Sequence, residues 1–472
     1  MVTRADLIVI GAGPAGAAAA IEASEHGLDV ILLDEAPAAG GQVFKGLPSE
    51  FVPDHRRRSE AFREGEALRG GVAASRVRHV PGQTVWLITG RYCVQTMNRE
   101  GCHSYQSERL VIATGTHERV LPFPGWTLPG VIGLGAATLM LKSQQVLPGH
   151  RTVVAGCGPL LPLVAASILK AGGKLAAYVD LNGASDFARA LPDLAIRPRR
   201  LWQAVAWMSV IRRSGTPMLF RHAVVEVQGA DAVEQIRIGR LGANGREPVV
   251  VAADSLAISY GLVPSTEATR LLGAAHNYDR DLGAWRPTTQ GIVRTSLQGL
   301  YVAGDVAGVA GAPAAALRGR LAGLAAAIDS GCLLPGAAED RDGRWRRDLQ
   351  GEERFARGLS AMMRVPSDLY AAITPETIVC RCEDVTRREI EAAIACGARE
   401  EGEIKAWTRC GMGPCQGRMC RDSVSALLSA SSGGASAGGS WTARPPLRPV
   451  PLDLLTGDFE YGDIRMPGPA PS

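Results

Sequence analysis

A chain of 472 residues, 46% of them hydrophobic, has length for about three domains and more than one buried core. The net charge is only +4 and the densest basic run, His55-Arg56-Arg57-Arg58, reads as a solvated face, so no nucleic-acid partner is expected. No stretch sustains about 18 uncharged apolar residues, so no transmembrane helix is expected.

The first apolar run, Leu7 to Ile21, is broken by Gly11, Gly13, Pro14 and Gly16 and reads as strand, turn and helix rather than as a signal peptide. Ten cysteines without a secretion signal argue for metal ligands and buried thiols over disulfides, with the cytoplasm as the default address. Leu7-Ile8-Val9-Ile10 predicts a strand feeding Gly11-Ala12-Gly13-Pro14-Ala15-Gly16 and an alanine-rich helix. In such a fingerprint Gly11 permits the tight turn, Gly13 admits a pyrophosphate beside the backbone, and Gly16 lets helix and strand pack closely. A second strand, Asp29 to Leu33, delivers Asp34 and Glu35, and Glu35 stands where a carboxylate accepts hydrogen bonds from an adenosine ribose.

Three later segments, Gly40-Gly41-Gln42, Ala113-Thr114-Gly115 and Tyr301-Val302-Ala303-Gly304-Asp305, resemble the flavin-site segments of the two-dinucleotide-binding flavoproteins, the family of glutathione and thioredoxin reductases. The resemblance implies FAD held by Gly11, Gly13, Pro14, Ala15, Gly16, Glu35, Gly41, Gln42, Thr114, Gly115 and Asp305, with Asp305 on the ribityl chain. A carboxylate at the start of an alanine-rich helix is also a helix cap, and the two roles are compatible. The reductases' redox-active dithiol is missing. Cys93 and Cys102 fall in an expected strand pair and Cys157 in a glycine turn, and all three read as small buried residues.

An offset of 145 residues superposes the opening motif on a second one, with Gly11, Gly13, Pro14, Gly27 and Glu35 falling on Gly156, Gly158, Pro159, Gly172 and Asp180. The repeat predicts a second doubly wound unit inserted into the first. Gly16, however, corresponds to Leu161. The expectation at Gly156, Gly158 and Asp180 is divided between NAD(H), an adenine nucleotide without redox chemistry, and an empty domain.

Past Leu334 the composition turns to arginine and acid from Glu339 to Arg357, a linker with a solvated helix. Ile378-Val379-Cys380-Arg381-Cys382 follows, then a helix from Arg387 to Ala395 with Thr386 as N-cap, then Cys410-Gly411-Met412-Gly413-Pro414-Cys415. Cys380, Cys382, Cys410 and Cys415 are the expected metal ligands, and the intervening glycines allow backbone amides to point at sulfur. C-x-C is too tight a bite for one zinc ion, and no histidine follows His276, so an iron–sulfur centre is preferred to zinc and a Rieske centre is excluded. Spacing alone does not separate a two-iron from a four-iron cluster. Cys396 and Cys420 are left to helix packing.

The stretch from Ile378 to Cys420 resembles the [2Fe-2S] domain of the bacterioferritin-associated ferredoxin type, which implies one two-iron cluster on the four ligands. The fold class expected is α/β: two Rossmann-like domains, glutathione-reductase-like, the second inserted in the first, plus a small, mainly helical C-terminal [2Fe-2S] domain. The boundaries read as 1–145 and 286–335 for the FAD domain, 146–285 for the second dinucleotide domain, 336–372 for the linker, 373–425 for the cluster domain and 426–472 for a flexible Ser/Gly/Pro-rich tail.

This order of modules, with Lys405-Ala406-Trp407-Thr408-Arg409-Cys410 and Phe123-Pro124-Gly125-Trp126, is similar to the large subunits of heteromeric bacterial amine dehydrogenases, among them opine oxidases, D-hydroxyproline dehydrogenase and hydrogen cyanide synthase. The resemblance implies an FAD-containing partner that oxidises a carbon–nitrogen bond of an amino or imino acid of the opine, D-hydroxyproline or sarcosine/glycine class. It also leaves room for a small third subunit with its own iron–sulfur centre, for a quinone or respiratory carrier as acceptor, and for a peripheral place at the inner membrane through the complex. No acid/base catalyst stands out. His117 is expected near the flavin as a loop or packing residue, and Trp126 in the core. Two other readings remain open here: a self-contained NAD(P)H-dependent reductase feeding a ferredoxin- or nitrite-reductase-like partner, and a redox- or iron-sensing cluster protein.

Overall fold

Four apolar, β-branched-rich segments that can be buried on both faces make the first sheet together with a fifth, polar strand at its edge. In the computed structural model, which describes residues 2–47, 51, 59–242, 247–431 and 441–455, Leu7–Ile10 lies at its centre with every side chain buried. The strand order is Leu300–Val302, Leu110–Ile112, Leu7–Ile10, Val30–Leu33 and Arg78–Val80, all parallel. The run His55 to Arg58 lies outside the described residues.

One face of this sheet carries a helix pair built almost entirely from small side chains, Pro14–Glu25 and Ala312–Asp329. A Cβ on Gly319 would come within 2.1 Å of the Ala15 carbonyl oxygen, and one on Gly323 within 2.4 Å of that of Ala19. The pair can approach this closely only because the contact residues lack side-chain bulk, and Ala19, Ala20, Ala23, Ala314, Ala322 and Ala326 are fully buried along it.

The second sheet is again parallel, in the order Val131–Gly133, Ser255–Tyr260, Arg151–Cys157, Lys174–Asp180 and Met218–Phe220. Its first strand precedes residue 146, so the inserted unit begins earlier than the repeat indicates. Val131–Gly133 has no counterpart in the opening motif and is recruited by pairing alone. Cys93 and Cys102 do lie in paired strands, but Cys102 is exposed and only Cys157 is buried.

The charged linker forms the helix Glu339–Ala361, and it is a brace rather than a solvated element. Leu349, Phe355 and Ala356 are buried, and Glu352 holds Arg197 at 2.9 Å and Arg200 at 2.7 Å on the inserted unit. The cluster domain has a short hairpin, Ile378–Cys380 with Val385–Thr386, and helices Arg387–Ala395, Glu401–Thr408 and Arg421–Ser431. Thr386 caps the first of these through Glu389 N–H, as its sequence predicts. The expectation of a flexible tail from 426 fails for the described part: a helix runs to Ser431, and Trp441 and Leu447 are buried. No described helix is long and apolar enough to cross a membrane.

Candidate functional site

The loops that follow strand ends Ile10, Leu33, Ile112 and Val302 meet at the carboxyl edge of the first sheet, where doubly wound folds bind ligands. Gly11 has φ +100°, and Gly16 is held so tightly that a Cβ there would lie 1.7 Å from the Gly11 oxygen. Gly41, at φ +58°, faces Gly13, and its Cβ would meet the Gly13 Cα at 2.9 Å. Gly13 itself opens into the crevice, where a Cβ would meet only Gly41 Cα at 3.7 Å, so any side chain would fill the cradle. These contacts fit a pyrophosphate laid across the turn.

The two acids after the second strand divide their work. Asp34 turns inward, accepting from the backbone N–H of Ala12 and, at 2.6 Å, of Ala36. Glu35 is exposed, 3.4 Å from Arg448 of the C-terminal segment. Gln42 and Thr114 are exposed, and Thr114 donates to the Ser265 carbonyl. Asp305 accepts from Ala310 N–H at 3.0 Å and Gly311 N–H at 3.1 Å, both on Oδ1, and Oδ2 has no hydrogen bond among the described residues. Burial pushes its carboxyl above the usual range, against the pull of those amides and of Arg318. His117 Nδ1 lies 3.4 Å from Ser265 Oγ, and burial pushes its ring below the usual histidine range, against the pull of Glu267 and Asp422.

The second glycine turn is built but covered. Gly156 and Gly158 have φ +120° and +94°, yet a Cβ on Gly158 would lie 3.0 Å from Met363 Cγ and one on Gly261 3.2 Å from Met363 Cβ. Asp180 is buried and engaged by Tyr178 Oη at 3.1 Å and by the Asn182 backbone and side-chain amides at 2.9 Å each. Asn182 in turn donates to the Met362 carbonyl. The end of the linker thus packs on the second glycine turn, and Asp180 is hydrogen-bonded within the protein. Of the three expectations at Gly156, Gly158 and Asp180, these contacts favour the empty domain over NAD(H) or an adenine nucleotide.

In the cluster domain the sulfur atoms of Cys380, Cys410 and Cys420 all lie within 4.8 Å of one another and all three residues are buried. Cys382 and Cys415 form a second, less buried pair of neighbouring thiols. Gly413 sits against this pair, since its Cβ would fall 2.3 Å from Cys382 Cβ, and Gly411 N–H donates to Cys380 Sγ at 3.4 Å. The neighbouring Cys410 and then Cys420 thiols push the Cys380 thiol far below its ordinary range, while the contact with Cys380 pushes both of them up, so the three titrate as one coupled group. Four of these five thiols are those expected. Cys420 was assigned to helix packing and instead faces the sulfur cluster, while Cys396 is exposed.

Trp441, which sequence reasoning left in the tail, lies over the loop: a Cβ on Gly411 would meet its ring at 2.0 Å, and Lys405 Nζ stands 5.6 Å from the ring centre. The domain is fastened to the flavoprotein body by Arg119 to Asp422 at 2.8 Å and by Trp126 Nε1–H donating to the Ile378 carbonyl at 2.7 Å. Trp126 therefore belongs to the core and also to this junction.

The glycine cradle and the gathered thiols define a flavoprotein oxidoreductase with an iron–sulfur domain. Residues 5–331 match the pyridine nucleotide-disulphide oxidoreductase family, and residues 378–430 match the BFD-like [2Fe-2S] binding domain. The chain is 35% identical to the A-type subunit of opine oxidase from Agrobacterium tumefaciens, covering 95% of this chain and 91% of that protein. It is 32% identical to the hydrogen cyanide synthase subunit HcnB of Pseudomonas protegens, over 95% and 97% of the two chains. Its fold is similar to that of L-proline dehydrogenase from P. horikoshii, with a TM-score of 0.70 at 21% identity over 96% of this chain and 80% of that one. The chain belongs to the family of HcnB and the A-type opine oxidase subunits. It is an oxidoreductase whose cofactors are FAD and a [2Fe-2S] cluster.

Proposed function

We propose that this chain is the electron-transferring subunit of a heteromeric dehydrogenase that oxidises a carbon–nitrogen bond of an amino or imino acid, with substrate oxidation in an FAD-containing partner. The names of its relatives support this class: they are subunits of opine oxidase, of hydrogen cyanide synthase and, at 26% identity, of sarcosine oxidase. The observation that carries the reading is the pairing of a glycine cradle with a five-thiol site on one tightly joined body. When bound, the flavin takes electrons in pairs and releases them singly to a one-electron centre.

The chain's own residues perform the holding. Gly11, Gly13, Pro14, Ala15, Gly16 and Gly41 shape the pyrophosphate cradle. Glu35, exposed and paired with Arg448, meets the adenosine ribose, Asp305 offers Oδ2 to the ribityl chain, and Gln42, Thr114 and Gly115 border the ring. Cys380, Cys382, Cys410 and Cys415 ligate the cluster, with amides such as that of Gly411 offsetting the negative charge on sulfur. His117, hydrogen-bonded to Ser265, is a packing residue rather than a base for an amine substrate. A quinone or respiratory acceptor and a small third protein with its own iron–sulfur centre complete the proposed complex. The self-contained NAD(P)H reductase loses its support at Met363.

Purifying the tagged chain with its native partners tests this. The complex should carry a second flavin-bearing polypeptide and bleach anaerobically with an opine, hydroxyproline, sarcosine or glycine. The isolated chain should stay yellow with all of them. An isolated chain that reduces its own flavin with such a substrate overturns the proposal.

A further inference from the structure

Three segments meet where the C-terminal stretch crosses the cluster domain, and each brings a cation. Lys405 comes from the helix Glu401–Thr408, Arg421 from the start of the helix Arg421–Ser431, and Arg444 from the stretch that follows Trp441. Together with Trp441 and Thr442 they line a cavity of about 10 Å³, room for about one water-sized atom. Among the described residues no ion pair holds any of the three cations. Glu267 also lines the cavity, but Arg418 claims its carboxylate at 3.4 Å. Positive charge therefore dominates the lining.

The like charges act on one another. Burial first, and then Arg444 and Arg421, hold the Lys405 amine below its ordinary range. Two donors here also lack acceptors. Trp441 is only 2% exposed, and its indole N–H is buried without a hydrogen-bond partner among the described residues, as is the Nε–H of Arg421. A buried donor without an acceptor is costly, and a charged one more so. A water molecule would accept from both donors, yet it would leave three cations facing one another. An anion answers the donors and the charges at once, and space for one water-sized atom selects a monatomic ion over phosphate, sulfate or a carboxylate.

We propose that this cavity is a halide site, binding one chloride ion between Lys405, Arg421 and Arg444 with the Trp441 N–H as a further donor. The ion bridges the C-terminal stretch to two helices of the cluster domain, so its occupancy sets how firmly Trp441 is held over the Gly411 and Gly417 loop.

The test uses the full-length chain with its cofactors, exchanged into sodium gluconate. Chloride then replaces gluconate at constant ionic strength, which keeps screening unchanged. Limited proteolysis within residues 441–455 is the readout. Cleavage there should slow saturably, by roughly fivefold or more once chloride is well above its Kd. Bromide should protect equally and, soaked into crystals, give an anomalous scattering peak inside this cavity. Arg421→Gln should lose most of the response. Lys405→Gln, on the other helix, should do the same and carries the test should Arg421→Gln fail to retain its flavin. Trp441→Phe keeps the ring without the donor and should need several-fold more chloride for half protection. Equal cleavage in chloride and gluconate, the absence of a bromide peak from the cavity, or a full response in both glutamine variants each overturns the proposal. Protection by phosphate or sulfate but not by bromide overturns the choice of a monatomic ion.

Discussion

At Gly16 a methyl group would have to share space with the Gly11 carbonyl oxygen, a backbone atom with no freedom to move aside. Overpacking of this kind costs about 1–3 kcal/mol or more, so Gly16→Ala should lower FAD affinity by roughly 10- to 100-fold. Gly27 is the comparison: its φ is +93° but nothing lies within 4 Å of its Cβ position. Gly27→Ala should cost about 1 kcal/mol of stability and leave FAD content unchanged, and flavin-to-protein ratios after gel filtration separate the two. Titration offers a second test. Burial first, and then the nearby Arg270, depress His276 to about 4 from its ordinary 6.5, with Arg421 adding to the effect. A base depressed in the folded state binds protons more readily when unfolded, so stability is full above pH 6.5 and declines as pH falls toward 4. His276→Gln should flatten that decline in urea titrations at a series of pH values. The residues legible from sequence were those whose role is written in near neighbours, such as the glycine turns and the two cysteine pairs. Cys420 was not legible, because its sulfur neighbours include a strand residue far back in the chain. Likewise the burden carried by Asp34 is visible only once the Ala12 and Ala36 amides are in place.

Among the elements, the helix Glu339–Ala361 shows how far composition can mislead. Its charged sequence announced a helix, but not that Glu352 would bind two arginines of the inserted unit with its side chain only 9% exposed. Removing that carboxylate would leave Arg197 and Arg200 facing each other. Glu352→Ala should therefore destabilise the chain by about 2–3 kcal/mol, less than a fully buried pair because both guanidinium groups keep some water. The shift in denaturation midpoint measures it. The residues just beyond this helix carry the other consequence. With Met363 on Gly158 and Gly261, NADH added without air should leave the flavin of the isolated chain oxidised, and rapid bleaching by NADH would contradict the covered turn. Leu161 hinted at this in the sequence, as a large residue where the first copy has glycine. The linker that fills the space could not be foreseen from a motif, because the contact joins segments far apart in the chain.

Over the whole molecule the repeat of the glycine motif made the insertion of one doubly wound unit into another legible, along with the separate cysteine domain. What joins them was not: Arg119 with Asp422 and Trp126 with Ile378 pair residues that no local pattern connects. Asp422→Asn should leave iron and flavin contents unchanged while exposing residues 362–377 to limited proteolysis several-fold faster, since Arg119 keeps only its carbonyl partners Leu282 and Gly283. The tail was misjudged for the same reason, its composition saying nothing of the sites awaiting Trp441 and Leu447. The alanine ridge of the helix Pro14–Glu25 finds its mate in Ala312–Asp329, which emerges from the ribosome only after the entire inserted unit has been made. Throughout that interval the small-residue face of Pro14–Glu25 lacks the helix that packs on it in the finished fold. Uptake of FAD is thereby deferred to a late moment of synthesis, and a chain truncated before Ala312 should be unable to turn yellow.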